Sequence, residues 1–256
     1  MMRRYPYGTL WYWAGGGIAG LILLFLSENT RTFASILTET HLPQLHALVT
    51  KIDREQIDRS MDLAQRESML LASIENGNSR MAQAFLAAGV SPNTTDSRGW
   101  TPLMLSAIHN QPILVAILCA SGANPNAQNA QGTTALMLAA NKGHEDILRL
   151  LLAYGAKVDN RAKDGWTALM YAAWNGHAAI IPLLLTHRAD ATVKDNFGWT
   201  ALMYASWNGH LAAVKALLPA ENVKSSMLHG EIQKARRLAA GHGHVAIVQL
   251  FDQTLG

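Results

Sequence analysis

Gly165-Trp-Thr-Ala-Leu-Met-Tyr-Ala-Ala-Trp-Asn-Gly-His177 is followed 33 residues later by Gly198-Trp-Thr-Ala-Leu-Met-Tyr-Ala-Ser-Trp-Asn-Gly-His210. The two stretches are nearly copies, and Gly99 and Gly132 extend the same spacing upstream. A constant period of roughly 20 to 50 residues marks stacked supersecondary units, each burying its apolar face against its neighbours. The fold is therefore decided by the repeat before any single segment is read.

Working outward from those copies, each unit opens on a threonine suited to cap a short helix: Thr101, Thr134, Thr167 and Thr200. A Gly-His pair follows at Gly143-His144, Gly176-His177, Gly209-His210 and Gly243-His244. Then come runs such as Ile147-Leu148 with Leu150-Leu151-Leu152, and Ile180-Ile181 with Leu183-Leu184-Leu185, which read as a longer, core-forming second helix. Turns such as Gly89-Val90-Ser91-Pro92-Asn93, Gly122-Ala123-Asn124-Pro125-Asn126 and Gly155-Ala156-Lys157-Val158-Asp159 close the units.

The frame Thr101-Pro102-Leu103-Met104-Leu105-Ser106, with its counterparts at Thr134 to Ala139, Thr167 to Ala172 and Thr200 to Ala205, resembles the ankyrin repeat, whose signature is Thr-Pro-Leu-His-x-Ala. Methionine stands at the signature's histidine in every copy, so that side chain's usual tether to the neighbouring turn is absent. The resemblance covers about residues 67 to 251 and implies an all-α ankyrin-repeat solenoid of helix-turn-helix units that binds other proteins.

Residues 1–27 differ in composition. Met1-Met2-Arg3-Arg4 precedes an uncharged stretch from Tyr5 to Ser27, most apolar from Leu10 to Leu26, with Trp11, Tyr12 and Trp13 at its near edge. At about 1.5 Å per residue such a run just crosses a hydrocarbon layer of about 30 Å, and is expected to be an N-terminal transmembrane helix. A signal peptide is the rival reading, although no small-x-small cleavage site lies next to the run. Arg3 and Arg4 should hold the N-terminus in the cytoplasm, which in a bacterium makes this a single-pass inner-membrane protein with its repeats in the periplasm. Gly16 and Gly20 are spaced for close packing against another membrane helix.

Residues 28–66 are expected to be a connector and helical N-cap. Pro43 opens a helix carrying Leu45, Leu48, Val49 and Ile52. Asp53 and Gln56 read as a capping box ahead of a second helix bearing Ile57, Met61 and Leu63. Residues 67–256 form the repeat domain: about five repeats, the first degenerate, and a C-terminal cap with Lys234, Arg236 and Arg237 facing solvent. Pro182 lies inside a second helix, where it should remove one hydrogen bond and kink or offset the turn.

Residues 67–256 carry 14 Lys or Arg against 12 Asp or Glu, without a basic cluster, which argues against nucleic acid as a partner. No nucleophile elbow, phosphate loop, His-Glu-x-x-His or dinucleotide fingerprint is present, so neither an enzymatic activity nor a cofactor or small-molecule substrate is expected. Four histidines recur with the period, but units about 10 Å apart are too far separated to share a metal, and a role in holding the inter-helix turn is expected instead. Asp96, Asp164 and Asp195 read as turn residues that accept from loop backbone. The single Cys119, in an apolar run, reads as a small hydrophobe.

The distinctive chemistry is aromatic. Trp100, Trp166 and Trp199 follow the turn glycines; Trp174 and Trp207 precede Asn175 and Asn208; and Tyr171 and Tyr204 lie on the same short helices. In the resembled family these slots vary and face a concave groove, which implies a partner-binding strip formed by these nine residues. Mortar between repeats is the alternative reading, as is a mixture of the two.

Overall fold

A computed structural model describes residues 61–218 and 228–255. All of them fall in one compact unit, residues 54–256. The expected membrane helix with Gly16 and Gly20, the helix opening at Pro43 and the box at Asp53 lie outside the described residues.

Among those residues the elements are helices in six pairs: α1 (Leu63–Glu75) with α2 (Ser79–Ala87), α3 (Pro102–Ile108) with α4 (Pro112–Ala120), α5 (Ala135–Lys142) with α6 (Glu145–Ala153), α7 (Ala168–Trp174) with α8 (Ile180–Thr186), α9 (Ala201–Trp207) with α10 (Leu211–Leu217), and α11 (Leu228–Gly241) with α12 (Val245–Leu255). First helices pack on first helices and second on second along the series, giving two helical layers with one continuous core.

Local chemistry explains the starts of α3, α5, α7 and α9. Thr101, Thr134, Thr167 and Thr200 have extended backbones, and their hydroxyls accept from the N–H of Met104, Met137, Met170 and Met203. Those methionines are themselves core residues, at most 3% exposed, so the position supplies packing where the family signature has a polar tether. Only Met137 reaches back, its sulfur accepting weakly from the Thr134 N–H at 3.5 Å.

At the front of the array the structure differs from expectation. Met61 and Leu63 do not share a helix: Asp62 caps the start of α1, and Met61 lies before the cap. Its carboxylate accepts from the Gln65 N–H at 2.8 Å while the Gln65 amide accepts from the Asp62 N–H at 3.0 Å. The first helix of the degenerate unit thus begins six residues earlier than the frame of α3 implies and runs across the expected 66/67 boundary.

Pro182 falls in the first turn of α8, which starts at Ile180 two residues later than the frame of α6 implies. Proline has no N–H to donate to the Ala178 carbonyl in an α-type bond, so residues 178 and 179 form a turn instead and the helix is shortened rather than bent.

The units are tied together by hydrogen bonds repeated with the period. The Nε2 atoms of His144, His177, His210 and His244 lie 2.9 to 3.3 Å from the carbonyls of Ile108, Asn141, Trp174 and Trp207, each near the end of the preceding unit's first helix. These are helix-end acceptors left without an intrahelical donor. The histidines therefore link successive units rather than only closing their own turns. Gln111, in the same slot one unit earlier, donates to the Ile74 carbonyl at 2.8 Å and forms a fifth tie that its residue type did not advertise.

On the loop side, the backbone N–H groups of Ala130, Lys163 and Asn196 donate to the carbonyls of Arg98, Gln131 and Asp164, joining the loop tips of successive units. Turn asparagines form a third series: Asn93 donates to the Gly122 carbonyl and accepts from the Asn124 N–H, and Asn126 does the same to Gly155 and Lys157.

Candidate functional site

The loops that present the aromatic residues are held by side-chain acceptors. Asp96 Oδ1 accepts from the N–H groups of Arg98 and Trp100, and Asp195 Oδ1 from those of Phe197 and Trp199. Asn129 does the same work for Gln131 and Thr133, a role that a search for aspartates misses but the 33-residue register finds. Asp164 is two residues out of that register, where Ala162 stands at the loop-acceptor position, and its carboxylate accepts from the Trp166 N–H at 3.0 Å.

The rings run in one connected series. Trp166 lies 4.9 Å from Tyr171, 5.7 Å from Trp174 and, across to the next unit, 4.5 Å from Tyr204. Tyr204 also meets Trp174 at 5.4 Å and Trp199 at 5.1 Å, and Trp199 meets Trp207 at 5.3 Å. Such tilted and edge-on contacts add to area burial by about 0.5 to 1.5 kcal/mol a pair.

His242 continues the series, 3.7 Å from Trp207. It was not among the expected site residues, although it stands before Gly243-His244 just as Asn208 stands before Gly209-His210. Trp100 is separate: the slot between it and Trp166 holds Thr133, and its indole instead carries the Arg98 guanidinium 5.4 Å from the ring centre.

Exposure divides these residues. Trp100, Trp166, Tyr171 and Trp199 are partly buried against the core, and Tyr204 is only 7% exposed. Trp174, at 39%, presents the most open of these tryptophan and tyrosine rings, and Trp207 is half-buried. The series is thus mortar on its inner side and accessible aromatic surface on its outer side.

Asn175 and Asn208 bind within the array as well. Asn175 donates to Asn141 Oδ1 and to the Tyr171 carbonyl, and Asn208 to the Trp174 carbonyl. The Tyr204 hydroxyl donates to Asp195 Oδ2. Burial, together with that bond and the carboxylate's charge, pushes the Tyr204 phenol far above its ordinary value.

A family profile described as ankyrin repeats (3 copies) matches residues 41–129, 68–162, 110–195 and 157–228, which together span most of the chain. The chain belongs to the ankyrin-repeat family. No curated protein matches it. As an ankyrin-repeat protein it is a protein–protein interaction module.

Other ionisable groups in this ankyrin-repeat protein have structural surroundings. Cys119 is half-buried, and burial pushes its thiol up to about 11, away from the reactive thiolate. Each periodic histidine has one ring nitrogen at a carbonyl of the preceding unit, as described above. Among the described residues no helix is long and apolar enough to cross a membrane.

Proposed function

We propose that this protein is an accessory or assembly subunit of a membrane or periplasmic complex, tethered by residues 1–27 and binding its protein partner through the aromatic face of its first helices. The observation that carries the binding part is the open Trp174 ring, laid against a rigid Trp166–Tyr204 stack. Ring surface already immobilised by its neighbours loses little further freedom on binding, and Trp and Tyr are the residues that anchor interfaces. The tether rests on the uncharged stretch Tyr5 to Ser27 behind Arg3-Arg4.

A second reading, a periplasmic immunity or stress-protection protein that sequesters its partner, uses the same face but needs the N-terminal segment only as an anchor. Two measurements test the proposal. A reporter active only outside the cytoplasm, fused after Gly256, should be active, with the protein retained in carbonate-washed membranes; an inactive fusion overturns the location. Partner capture from membranes should fall with Trp174→Ala and should require Gly16 and Gly20 if the membrane helix packs in a complex. Capture that is indifferent to the two glycines favours sequestration.

A further inference from the structure

The position two residues before each loop tryptophan differs from unit to unit, and the comparison is informative. At Trp100 that position is Arg98. Its guanidinium lies over the indole, and its Nε and Nη2 both reach Asp96 Oδ2 at 2.9 Å, so ring, cation and carboxylate form a complete internal set. At Trp199 the position is Phe197, and the neighbouring Asp195 is buried and bonded to Tyr204. At Trp166 the position is Asp164. Here a carboxylate and an indole stand together, and among the described residues no cation is paired with the carboxylate, although the Arg161 guanidinium lies against the intervening Gly165.

Asp164 is exposed and takes part in none of the ion pairs among the described residues, which join Arg98 to Asp96, Arg149 to Glu145, Lys194 to Glu231, and Arg236 to Asp252. The nearby Arg161 guanidinium donates instead to the Lys194 carbonyl at 2.7 Å. Asp164 Oδ1 lies 3.0 Å from the Trp166 backbone nitrogen, and its charge is, after burial, the next cause that lifts the Tyr171 phenol and adds to the lift at Tyr204.

Building on the proposed aromatic binding face, we infer that Asp164, Trp166 and Trp174 form a docking point for an arginine side chain of the partner protein. A guanidinium is planar, so it can lie on an indole while donating to the carboxylate, as Arg98 does internally at Trp100. A lysine ammonium matches the charge but not the plane. A neutral side chain leaves Asp164 with water alone.

The test uses the full chain in nonionic detergent, with the indole N–H signals of its 7 tryptophans resolved by nuclear magnetic resonance and assigned by Trp→Phe variants. The probe is N-acetylarginine methylamide, compared with the citrulline and lysine analogues. The arginine probe should move the Trp166 and Trp174 signals saturably, leave Trp100 still, and bind at least about threefold more tightly than citrulline. Asp164→Asn should remove that preference. In Arg98→Ala, the uncovered Trp100 should begin to respond.

Equal binding of citrulline, or arginine binding unchanged in Asp164→Asn, overturns the inference; tighter binding of the lysine probe overturns the choice of arginine. Partner capture separates this from the broader reading. Capture lost with Trp174→Ala but kept with Asp164→Asn removes the arginine point and leaves the face. Capture kept with a folded Trp174→Ala removes the face itself.

Discussion

Gly176→Ala probes the ties between units at one atom. Gly176 has φ 72°, in the left-handed region, and a Cβ placed there would lie 2.6, 2.7 and 2.9 Å from Nδ1, Cγ and Cε1 of His210. Those atoms belong to a rigid ring whose Nε2 is bonded to the Trp174 carbonyl at 3.0 Å, so the ring cannot yield without breaking the tie. The backbone conformation costs a non-glycine residue about 1 to 2 kcal/mol, and loss of the hydrogen bond adds about 0.5 to 1.5 kcal/mol. The expected destabilisation is therefore about 1.5 to 3.5 kcal/mol.

Gly155→Ala is the control, because Gly155 has φ 84° but open space within 4 Å of the added carbon. It should lose only the conformational part. In urea, with a slope of about 2 kcal/mol per molar, the two variants should have midpoints separated by roughly 0.3 to 0.8 M. The His210 ring signals should shift in Gly176→Ala alone. Equal midpoints for the two variants, or an unperturbed His210 in Gly176→Ala, would refute the idea that the Gly-His pairs are built for contact between units.

Arg188 occupies the slot of Gly122 and Gly155 with φ 67°, so Arg188→Gly should stabilise the protein by about 1 kcal/mol, read as a higher thermal midpoint. Asp159 stands where Asn93 and Asn126 bridge units, but it lacks their donor. Burial and the neighbouring Asp190 charge raise its pKa above 3.8, against the bond it accepts from the Asp190 N–H. Because the folded chain holds that proton more tightly, the wild type loses stability as pH rises from about 4 through the raised value. Asp159→Asn should therefore stabilise at pH 7 by about 0.5 to 1.5 kcal/mol, with the gain shrinking as pH is lowered past the raised pKa; a gain that grows on acidification would contradict the assignment. Trp166→Ala should lower the urea midpoint by an amount equivalent to about 2 kcal/mol or more, whereas Trp174→Ala should cost under about 1 kcal/mol and act mainly on partner capture.

Periodicity made the architecture legible because a stack of equivalent units needs the same residue types at the same steps: threonine to start a helix, leucine and methionine to fill the core, glycine to turn. Those demands are local or involve the adjacent unit, and Gly165 to His177 with its copy at Gly198 to His210 displays them directly. The residue types alone did not reveal the choice of partner for each polar group. Gln111 and Asn129 replace a histidine and an aspartate yet make the same bonds, since what the structure requires there is a donor at a carbonyl and an acceptor at a loop. Asp164 resembles Asp96 and Asp195 in composition but sits two positions away from their loop-acceptor role, which leaves it exposed without an ion pair. The sequence by itself thus determined the repeat, its helical units and the presence of aromatic residues in matching slots. Only the tertiary structure decided which rings lie between units and which face outward, because ring orientation depends on neighbours 30 to 38 residues away whose positions are set by the stack as a whole.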